Sequence, residues 1–422
     1  MAGSQFDLIS ASNLFKIKYE KLSENVYNSA NVLLGRVKKS YNFVGEKIQI
    51  TIPSSFSGGV GSGSLPKANT AMYQRAELTA KKMYAVVEID RETIKAALKD
   101  EGSFVRATKE VVKKGVESFM RNMSRTLFND GSGSLGVIGS VDGTDSSGKT
   151  LIMAEGTKEA DLEERDLVNI RVGTNQDGTP DLLEANGAAA LFEISEVITD
   201  APDNLLRVVL KSAPSAINGG SDVLVMQNSA DKDPDGLKGV LQKINRAQID
   251  SVDSSYGIKH TRKWEAVVEN ADSAAISTDM LNKVMLKIKK KCGKSPNLIV
   301  TSFKQYEKIL NLLEDQKRYT VQTRAGLKSK SGADISFSGV EFMSVDGPIG
   351  IFPERFVEDD TIYLLNDNHI HIHHRPDFGW FDDDGTVFLR KFDADAYEAR
   401  YGGYLQTYIN PCFHGVIKDL SV

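Results

Sequence analysis

The amino-acid sequence predicts an α+β fold organised around one long helix. Three observations predict it. Apolar residues repeat with helical spacing over 103–129, apolar and polar residues alternate on both sides of a Gly/Ser-rich stretch within 43–89, and short strand-like runs fill 140–235. With 422 residues, the chain is long enough for two or three domains with a sizeable core.

Composition and charge exclude several classes of protein. Hydrophobic residues make up 41% of the chain and charged residues 26%, which indicates a folded chain rather than a disordered one. A net charge of −5 argues against a protein that coats nucleic acid over its whole surface. Two cysteines, Cys292 and Cys412, cannot build a disulfide framework and suit a reducing cytoplasm. The sequence has no apolar run approaching the ~20 residues of a membrane helix, and residues 1–10 lack a signal-peptide pattern.

The long helix is predicted from Ser103 to Asn129. Ser103 is the predicted N-cap, and Gly131 and Gly133 are predicted to end the helix. Charged residues, Arg125 among them, lie largely off its apolar face. At about 1.5 Å per residue the helix is roughly 40 Å long, which is long enough to serve as the central support of a large, flat subunit. The residues predicted to share the apolar face are Val105, Val112, Val116, Phe119, Met123 and Leu127.

A long β-hairpin is predicted before this helix. Residues 1–40 are polar and are interpreted as an arm that packs on something else, with a frayed terminus as the alternative. Isoleucines alternate with polar residues over 43–52, which predicts a half-exposed strand that Pro53 ends. A Gly/Ser-rich tip follows, and a second strand is predicted from Arg75 to Ile89. Because an isolated two-stranded hairpin is marginal in water, this one is expected to need a partner surface.

Residues 140–235 are predicted to form a small β-sandwich or barrel inserted as a unit. The strand-like runs are separated by Asp-Gly and Asn-Gly turn signals. The segment Leu135–Val137 before the insert is echoed by Leu237–Val240 after it, so the chain is expected to leave one place and return to it. The strand-like runs are Leu167–Val172, Leu191–Ile198, Leu205–Leu210 and Val223–Gln227.

Two loops of the chain resemble ion-binding or phosphate-binding motifs only in part. Asn175, Asp177, Gly178 and Glu184 resemble part of a calcium loop, but Gly173 stands where the first carboxylate belongs, so a polar Asp-Gly turn is preferred. The glycines of the hairpin tip are not spaced as GxGxxG, and no GK[ST] follows them. The sequence also lacks G-x-S-x-G, a zincin helix and a Rossmann fingerprint, which lowers the expectation of an enzyme.

An α/β unit is predicted over 276–313, followed by several strands. Its first helix is capped by Ser277 or Thr278, its strand is Leu298–Val300, and Ser302 caps the next helix. Lysines at the end of the first helix complement its dipole, with a contact to packaged nucleic acid as the alternative. These lysines are Lys287, Lys289, Lys290, Lys291 and Lys294. Later strands are predicted within Phe337–Val345, Thr361–Leu365, Thr386–Ile409 and Phe413–Leu420.

Four histidines lie close together near the C-terminus. His369, His371 and His373 alternate along one predicted strand, with His374 beside them, a spacing that suits zinc. No HExxH or Cys pair accompanies them, so histidines of an exposed strand face are the preferred interpretation. The carboxylates of 382–384 before Gly385 are interpreted as an Asp-Gly hairpin turn rather than a metal site.

The order and spacing of four segments resemble those of the major capsid proteins of tailed bacteriophages, which have the Hong Kong 97 capsid fold. The resemblance runs from about Tyr41 to Leu420, apart from the insert. The segments are the hairpin with its Gly/Ser tip (43–89); Asp90–Ile94 with the long helix and its glycine-rich exit; Leu298–Ser302 with Phe337–Val340 and Asp346–Ile349; and Tyr397–Gln406 with Asn410-Pro411 and Gly415–Ile417.

The resemblance implies a division of the chain into named parts. These are an N-terminal arm (1–40), an extended β-hairpin loop (41–89), a peripheral domain with the spine helix (90–139) and return strands (373–409), an inserted β-rich surface domain (140–235), and an axial domain (236–372) completed by a C-terminal strand (410–422).

The same resemblance implies a structural protein whose main partner is itself. It would assemble in host cytoplasm into hexamers and pentamers of an icosahedral phage head enclosing double-stranded DNA, with no catalytic residue, cofactor, metal or membrane. A separate scaffolding protein is expected because only about 40 residues precede the loop. A portal protein, packaged DNA bound non-specifically and a decoration protein are further expected partners.

The arm and the extended loop are expected to reach neighbouring subunits. Some members of the family crosslink a loop lysine to a neighbour's asparagine, for which Lys67 and Asn410 are candidates. The residues expected at inter-subunit contacts are Phe56, Lys67, Arg75, Glu77 and Lys81.

Three alternatives remain open from the sequence. An encapsulin nanocompartment has the same fold, and nucleic acid inside the particle would distinguish the two. A metal-dependent enzyme would use His369, His371 and His373. A β-rich module at 140–235 would recognise a glycan or a host surface.

Overall fold

The computed structural model places a long helix against a sheet of long strands, with a closed barrel and a second sheet beside them. The helices are α1 (Val32–Arg36), α2 (Glu101–Phe128), α3 (Leu237–Leu241), α4 (Thr278–Cys292) and α5 (Phe303–Asp315). The structure describes residues 32–40, 43, 47–55, 72–91, 101–142, 147–174, 180–185, 188–199, 205–214, 217–227, 229, 233–242, 256–258, 264–315, 326–328, 334–336, 340–344, 347–381, 387–392 and 394–422.

Helix α2 is the predicted long helix, and its C-terminal half lies in the main core. It spans 28 residues, or about 42 Å. It begins two residues before Ser103, which therefore lies inside the helix, so the predicted N-cap is wrong. Gly115 faces Val87, and a Cβ on this glycine would lie 2.4 Å from Val87 Cγ2, so its missing side chain permits the close approach of helix and sheet. The buried apolar residues of its C-terminal half are Val116, Phe119, Met120, Met123, Leu127 and Phe128.

The sheet beneath α2 has five strands, which we call the long-strand sheet. Strand β23 (Ala396–Ile409) lies at its centre and is 14 residues long. On one side β23 pairs with β21 (Ile370–Trp380) and β22 (Leu389–Arg390), and β1 (Lys38–Ser40) pairs with β21 in parallel. On its other side β23 pairs with β4 (Lys81–Asp90), from Ala396 opposite Asp90 to Leu405 opposite Lys81.

The predicted return strand from Arg75 to Ile89 is two strands, so that prediction is wrong. Strand β3 (Met72–Thr79) pairs with β2 (Lys47–Ser55) as the hairpin, whereas β4 belongs to the long-strand sheet. The break is visible in the alternation of buried and exposed residues. The buried residues are even-numbered up to Leu78 and odd-numbered from Met83. Because successive side chains point to opposite faces, such a shift marks a break. Pro53 does not end β2, which runs on to Ser55 with an irregular register at this point.

Residues 134–226 contain a closed six-stranded antiparallel barrel. Going round it, β11 pairs with β12, β12 with β6, β6 with β5, β5 with β13, β13 with β7, and β7 with β11, while β8 adds to β7. Its own apolar core includes Ile138, Met153, Ile170 and Ile194, each inaccessible to solvent. The strands are β5 (Ser134–Val141), β6 (Thr150–Met153), β7 (Leu167–Thr174), β8 (Pro180–Leu182), β11 (Phe192–Ile198), β12 (Arg207–Leu210) and β13 (Val223–Met226); β9 (Glu184–Ala185) and β10 (Ala188–Ala189) form a small pair.

The chain enters and leaves the barrel at one place. A Cβ on Gly236 would lie 2.1 Å from the Asn129 carbonyl oxygen, and one on Gly239 would lie 2.6 Å from that of Asp130. The start of α3 and the residue before it therefore pass directly against the end of α2, as expected from the echo of Leu135–Val137 in Leu237–Val240. The domain boundaries proposed from the resemblance stay a prediction.

A six-stranded mixed sheet forms a second layer with α4 and α5. Its order is β14-β24-β20-β15-β19-β18, and α4 packs against β14 and β24. Ser277 caps α4 by accepting a hydrogen bond from the Met280 N–H at 3.2 Å, which confirms the predicted cap. None of the described helices is long and apolar enough to cross a membrane. The strands are β14 (Val267–Asn270), β15 (Leu298–Thr301), β18 (Val340–Ser344), β19 (Gly347–Pro353), β20 (Ile362–Leu365) and β24 (Gly415–Lys418), with β16 (Gly326–Lys328) and β17 (Asp334–Ser336) as a separate pair.

Candidate functional site

The hairpin of β2 and β3 rests on the core of its own subunit. Ala76 and Leu78 are fully buried, and Ile48, Ile50 and Ile52 pack against the main core. The Glu77 N–H also donates to the Tyr256 carbonyl oxygen at 3.0 Å. The expectation that this hairpin needs another subunit is therefore wrong for its described residues, because the same chain supplies the partner surface.

The opposite face of the hairpin is exposed and charged. Arg75 and Glu77 lie on it two residues apart, and Lys47 pairs with Glu77 at 3.5 Å with both side chains about half exposed. Such an exposed ion pair contributes less than about 1 kcal/mol to stability, so these charges are available to another partner. Of the other predicted contact residues, Phe56 and Lys67 lie outside the described residues. Lys81 begins β4, where its charge acts on the buried Asp233.

A second exposed surface lies on the face of the long-strand sheet that points away from α2. Tyr84 and Val86 on β4 are 39% and 60% exposed, and Tyr404 on β23 is 37% exposed. The Tyr84 ring packs edge-on against Phe381, with ring centroids 5.6 Å apart. We call Tyr84, Val86, Phe381 and Tyr404 the outer apolar patch. The sequence pattern did not lead us to this patch, although Tyr84 and Val86 occupy positions of an alternating strand where polar residues are expected.

Buried charges join α2 to the barrel. Arg121 donates to both carboxylate oxygens of Asp166 at 2.8 Å. Arg125, expected off the apolar face, is only 2% exposed, and burial lowers its pKa while Asp161 and Asp233 raise it. Burial raises the pKa of Asp161, while Lys158 and Arg125 lower it. The ion pair of Arg121 with Asp166 and the charge of Arg125 near Asp161 therefore connect α2 to the barrel segment.

Lys158 extends this network to the six-stranded sheet layer. Its ammonium group donates to Asn129 Oδ1 at 2.9 Å and to the Phe356 carbonyl oxygen at 3.0 Å, and it lies 3.3 Å from Asp161 Oδ2. One side chain of the barrel segment therefore contacts both the end of α2 and the loop after β19. The arrangement is structural, since every donor of the ammonium group is directed at a protein oxygen.

The histidines do not assemble into a metal site among the residues that the structure describes. His369 lies in a short 3₁₀ turn and stacks on Phe413, with ring centroids 3.7 Å apart. His371 and His373 share a face of β21, and His373 Nδ1 lies 3.0 Å from Ser40 Oγ. His374 packs against Phe378 instead. No group of three or more described His, Cys, Asp or Glu side chains is placed to hold a metal ion. The calcium-like loop is largely outside the described residues, as is the turn at 382–386.

A buried carboxyl group anchors the start of the described chain. Glu354 follows β19, is 3% exposed, and Oε1 accepts the Leu33 N–H at 3.0 Å. Burial raises its pKa from the ordinary 4.5 to about 7, although the backbone N–H groups of Leu33 and Val32 lower it. Glu354 thus ties α1, and with it β1, to the six-stranded sheet.

Glu354→Gln is expected to change how stability depends on pH. Because the folded carboxyl titrates near 7 and the unfolded one near 4.5, its contribution to stability is fully present below pH 4.5 and declines as pH rises through 7. The decline amounts to about 3 kcal/mol. Thermal melting at several pH values should show the wild type losing stability relative to the glutamine variant between about pH 4.5 and 7. A constant difference between the two would contradict this assignment.

Comparison with known proteins identifies one matching family. A family model described as SU10 major capsid protein matches residues 213–379. No curated protein matches the chain. Among solved structures, the chain is similar to the cyanophage A-1(L) capsid asymmetric unit, with 11% identity, a TM-score of 0.49, and coverage of 97% of this chain and 95% of that one.

Two further solved structures are similar at lower scores. The satellite phage P4 procapsid including size determination (Sid) protein has 9% identity and a TM-score of 0.42, over 98% of this chain and 94% of that one. The Mycobacterium phage Bobi structure has 9% identity and a TM-score of 0.41, over 92% and 90%. Because these scores are low, the family match over 213–379 is the comparison on which function rests.

Proposed function

We propose that this chain is a structural capsid protein with the Hong Kong 97 fold, and that its copies form the hexamers and pentamers of an icosahedral phage head around double-stranded DNA. The observation that carries the proposal is the match of residues 213–379 to the major capsid protein family. The matched segment includes α4, α5 and most of the six-stranded sheet. Its role is that of a component of the virion.

The exposed surfaces support contacts between copies. The outer apolar patch exposes aromatic and aliphatic side chains to water. Such exposure gives a monomer no advantage, whereas a neighbouring copy could cover these side chains. Arg75 and Glu77 on the hairpin carry charges of both signs, so they suit a neighbour with complementary charges. Repeated over many copies, modest contacts of this kind add up through multivalency. We propose these surfaces, with the tip that carries Phe56 and Lys67, as the inter-subunit contacts.

Further assembly partners follow from the same proposal. We propose assembly in host cytoplasm with a scaffolding protein, a portal protein at one vertex and a decoration protein on the exterior. The barrel is a compact unit on one side of α2, so it suits a surface domain. The proposed role requires no turnover, which favours a structural protein over the histidine-based enzyme considered from the sequence.

Sedimentation of the chain expressed alone in bacterial cells tests the proposal. We expect this chain to sediment as oligomers, either free hexamers and pentamers or closed particles, because contacts between its own copies form even where closure of the shell uses the scaffolding protein. Nuclease treatment and extraction of particles from cells that also supply the packaging partners would then distinguish the two shells of this fold, because protected DNA is expected inside a phage head and not inside an encapsulin nanocompartment. Recovery of only slow-sedimenting monomer under assembly conditions would contradict the proposal.

A further inference from the structure

A compact basic surface lies where the N-terminal segment meets β21 and the end of α4. Lys38 on β1 pairs in register with His371 on β21, and Lys294 follows the last turn of α4. The ammonium group of Lys294 lies 3.4 Å from His369 Nε2 and 5.5 Å from the centre of the Phe413 ring. We call Arg36, Lys38, Lys294, His369 and His371 the basic surface.

Little negative charge balances the basic surface. Among the residues that the structure describes, neither Lys38 nor Lys294 has a carboxylate partner. The carboxylate of Asp367 lies nearby: it accepts a hydrogen bond from the Asn297 amide at 2.6 Å, and its negative charge acts on Arg36 and His369. The pKa of His369 is lowered by burial and by the charges of Lys294 and Lys38, which reports a positive local potential.

The lysines elsewhere on α4 differ in this respect. Lys283 and Lys287 both pair with Glu269, and Lys291 donates to the Glu265 carboxylate. The charges of Lys287 and Lys291, two of the five lysines of the run noted in the sequence, are therefore already compensated. Lys38 and Lys294 therefore differ from Lys283, Lys287 and Lys291, because no carboxylate pairs with either of them among the described residues.

We propose that the basic surface binds the phosphate backbone of duplex DNA. Unpaired ammonium groups on a rigid frame displace the counterions of the duplex, and the gain in entropy favours binding without any base contact. Strand β1 is held by its pairing with β21, and Lys294 follows directly after the αL residue Gly293 that ends α4, so both lysines have fixed positions on the backbone. This inference rests on the proposed function, since it identifies the part of the capsid subunit that contacts the enclosed genome.

The test measures binding of a 30-base-pair duplex to the full-length chain by fluorescence anisotropy at several salt concentrations. The variant is Lys38→Gln with Lys294→Gln. The matched control is Lys283→Gln with Lys287→Gln, which removes the same charge from the same region. We expect the control to bind like the wild type. We expect the first variant to bind about tenfold more weakly, with a slope of log K against log salt that is smaller by about 2.

The possible outcomes separate this inference from the proposed function. Equal slopes for the wild type and both variants, or no duplex binding by the wild type, would overturn the inference while particle formation still supports a shell. If the first variant binds DNA normally but forms no particles, the basic surface is a contact between subunits and the inference fails. Loss of particles by every protein, the wild type included, would count against the function itself.

Discussion

Phe119→Asp is expected to abolish folding of the subunit. Phe119 is inaccessible to solvent at the centre of the contact between α2 and the long-strand sheet. Its ring lies 5.4 Å from that of Phe378 and 5.2 Å from that of Tyr401, measured between centroids. Removing the ring costs about 3–5 kcal/mol, and burying a carboxylate without a partner adds several more. This sum approaches the ~5–15 kcal/mol that stabilises a typical domain.

Circular dichroism and size-exclusion chromatography would measure this loss against two controls. Phe119→Leu keeps an apolar side chain at the same site and is expected to cost only about 1 kcal/mol. Lys114→Asp places the same aspartate on the exposed face of the same helix, where it is expected to change stability by less than about 0.5 kcal/mol. A folded Phe119→Asp protein with a melting temperature close to that of the wild type would contradict the placement of α2.

Removal of residues 56–71 is expected to leave a folded monomer that forms no shells. Ser55 and Met72 are paired across the hairpin, so an Asn-Gly turn can join them without disturbing β2 or β3. The base of the hairpin keeps its contacts with the main core, and the melting temperature should change by no more than a few degrees. Particle formation should be lost, because the proposed contacts of Phe56 and Lys67 are removed.

A second variant separates the length of the tip from its side chains. Replacing 56–71 by a Gly/Ser segment of equal length keeps the reach of the loop but removes Phe56 and Lys67. We expect this variant also to form few or no particles in electron micrographs. Normal shells from the shortened chain would show that the tip plays no part in assembly.

The sequence was most informative where one face of an element is buried. The apolar repeat of α2 and the alternation of β2 follow directly from helical and strand periodicity, and both are present. The same reasoning located four strands of the barrel to within two residues at most of their ends. It could not tell a barrel from a sandwich, because closure depends on the pairing of β7 with β11, which no local pattern encodes.

The errors arose where a distant segment decides the outcome. The predicted strand from Arg75 to Ile89 is divided because its second half pairs with β23. In the sequence, only the shift in the alternation of apolar and polar residues indicates this division. Arg125 was expected off the apolar face but is buried near Asp161 and Asp233. Glu354, for which no local pattern made a prediction, is buried against the backbone N–H of Leu33, 321 residues earlier in the chain. The basic surface likewise depends on the parallel pairing of β1 with β21, more than 300 residues apart.

Cryo-electron microscopy of particles formed by the purified chain tests the central claim most directly. The account predicts icosahedral shells whose walls consist of copies of this chain, in which a neighbouring copy covers the outer apolar patch and contacts the hairpin tip. A solution that contains only monomers at high concentration, or particles in which Tyr84, Val86 and Tyr404 all remain in solvent, would contradict it.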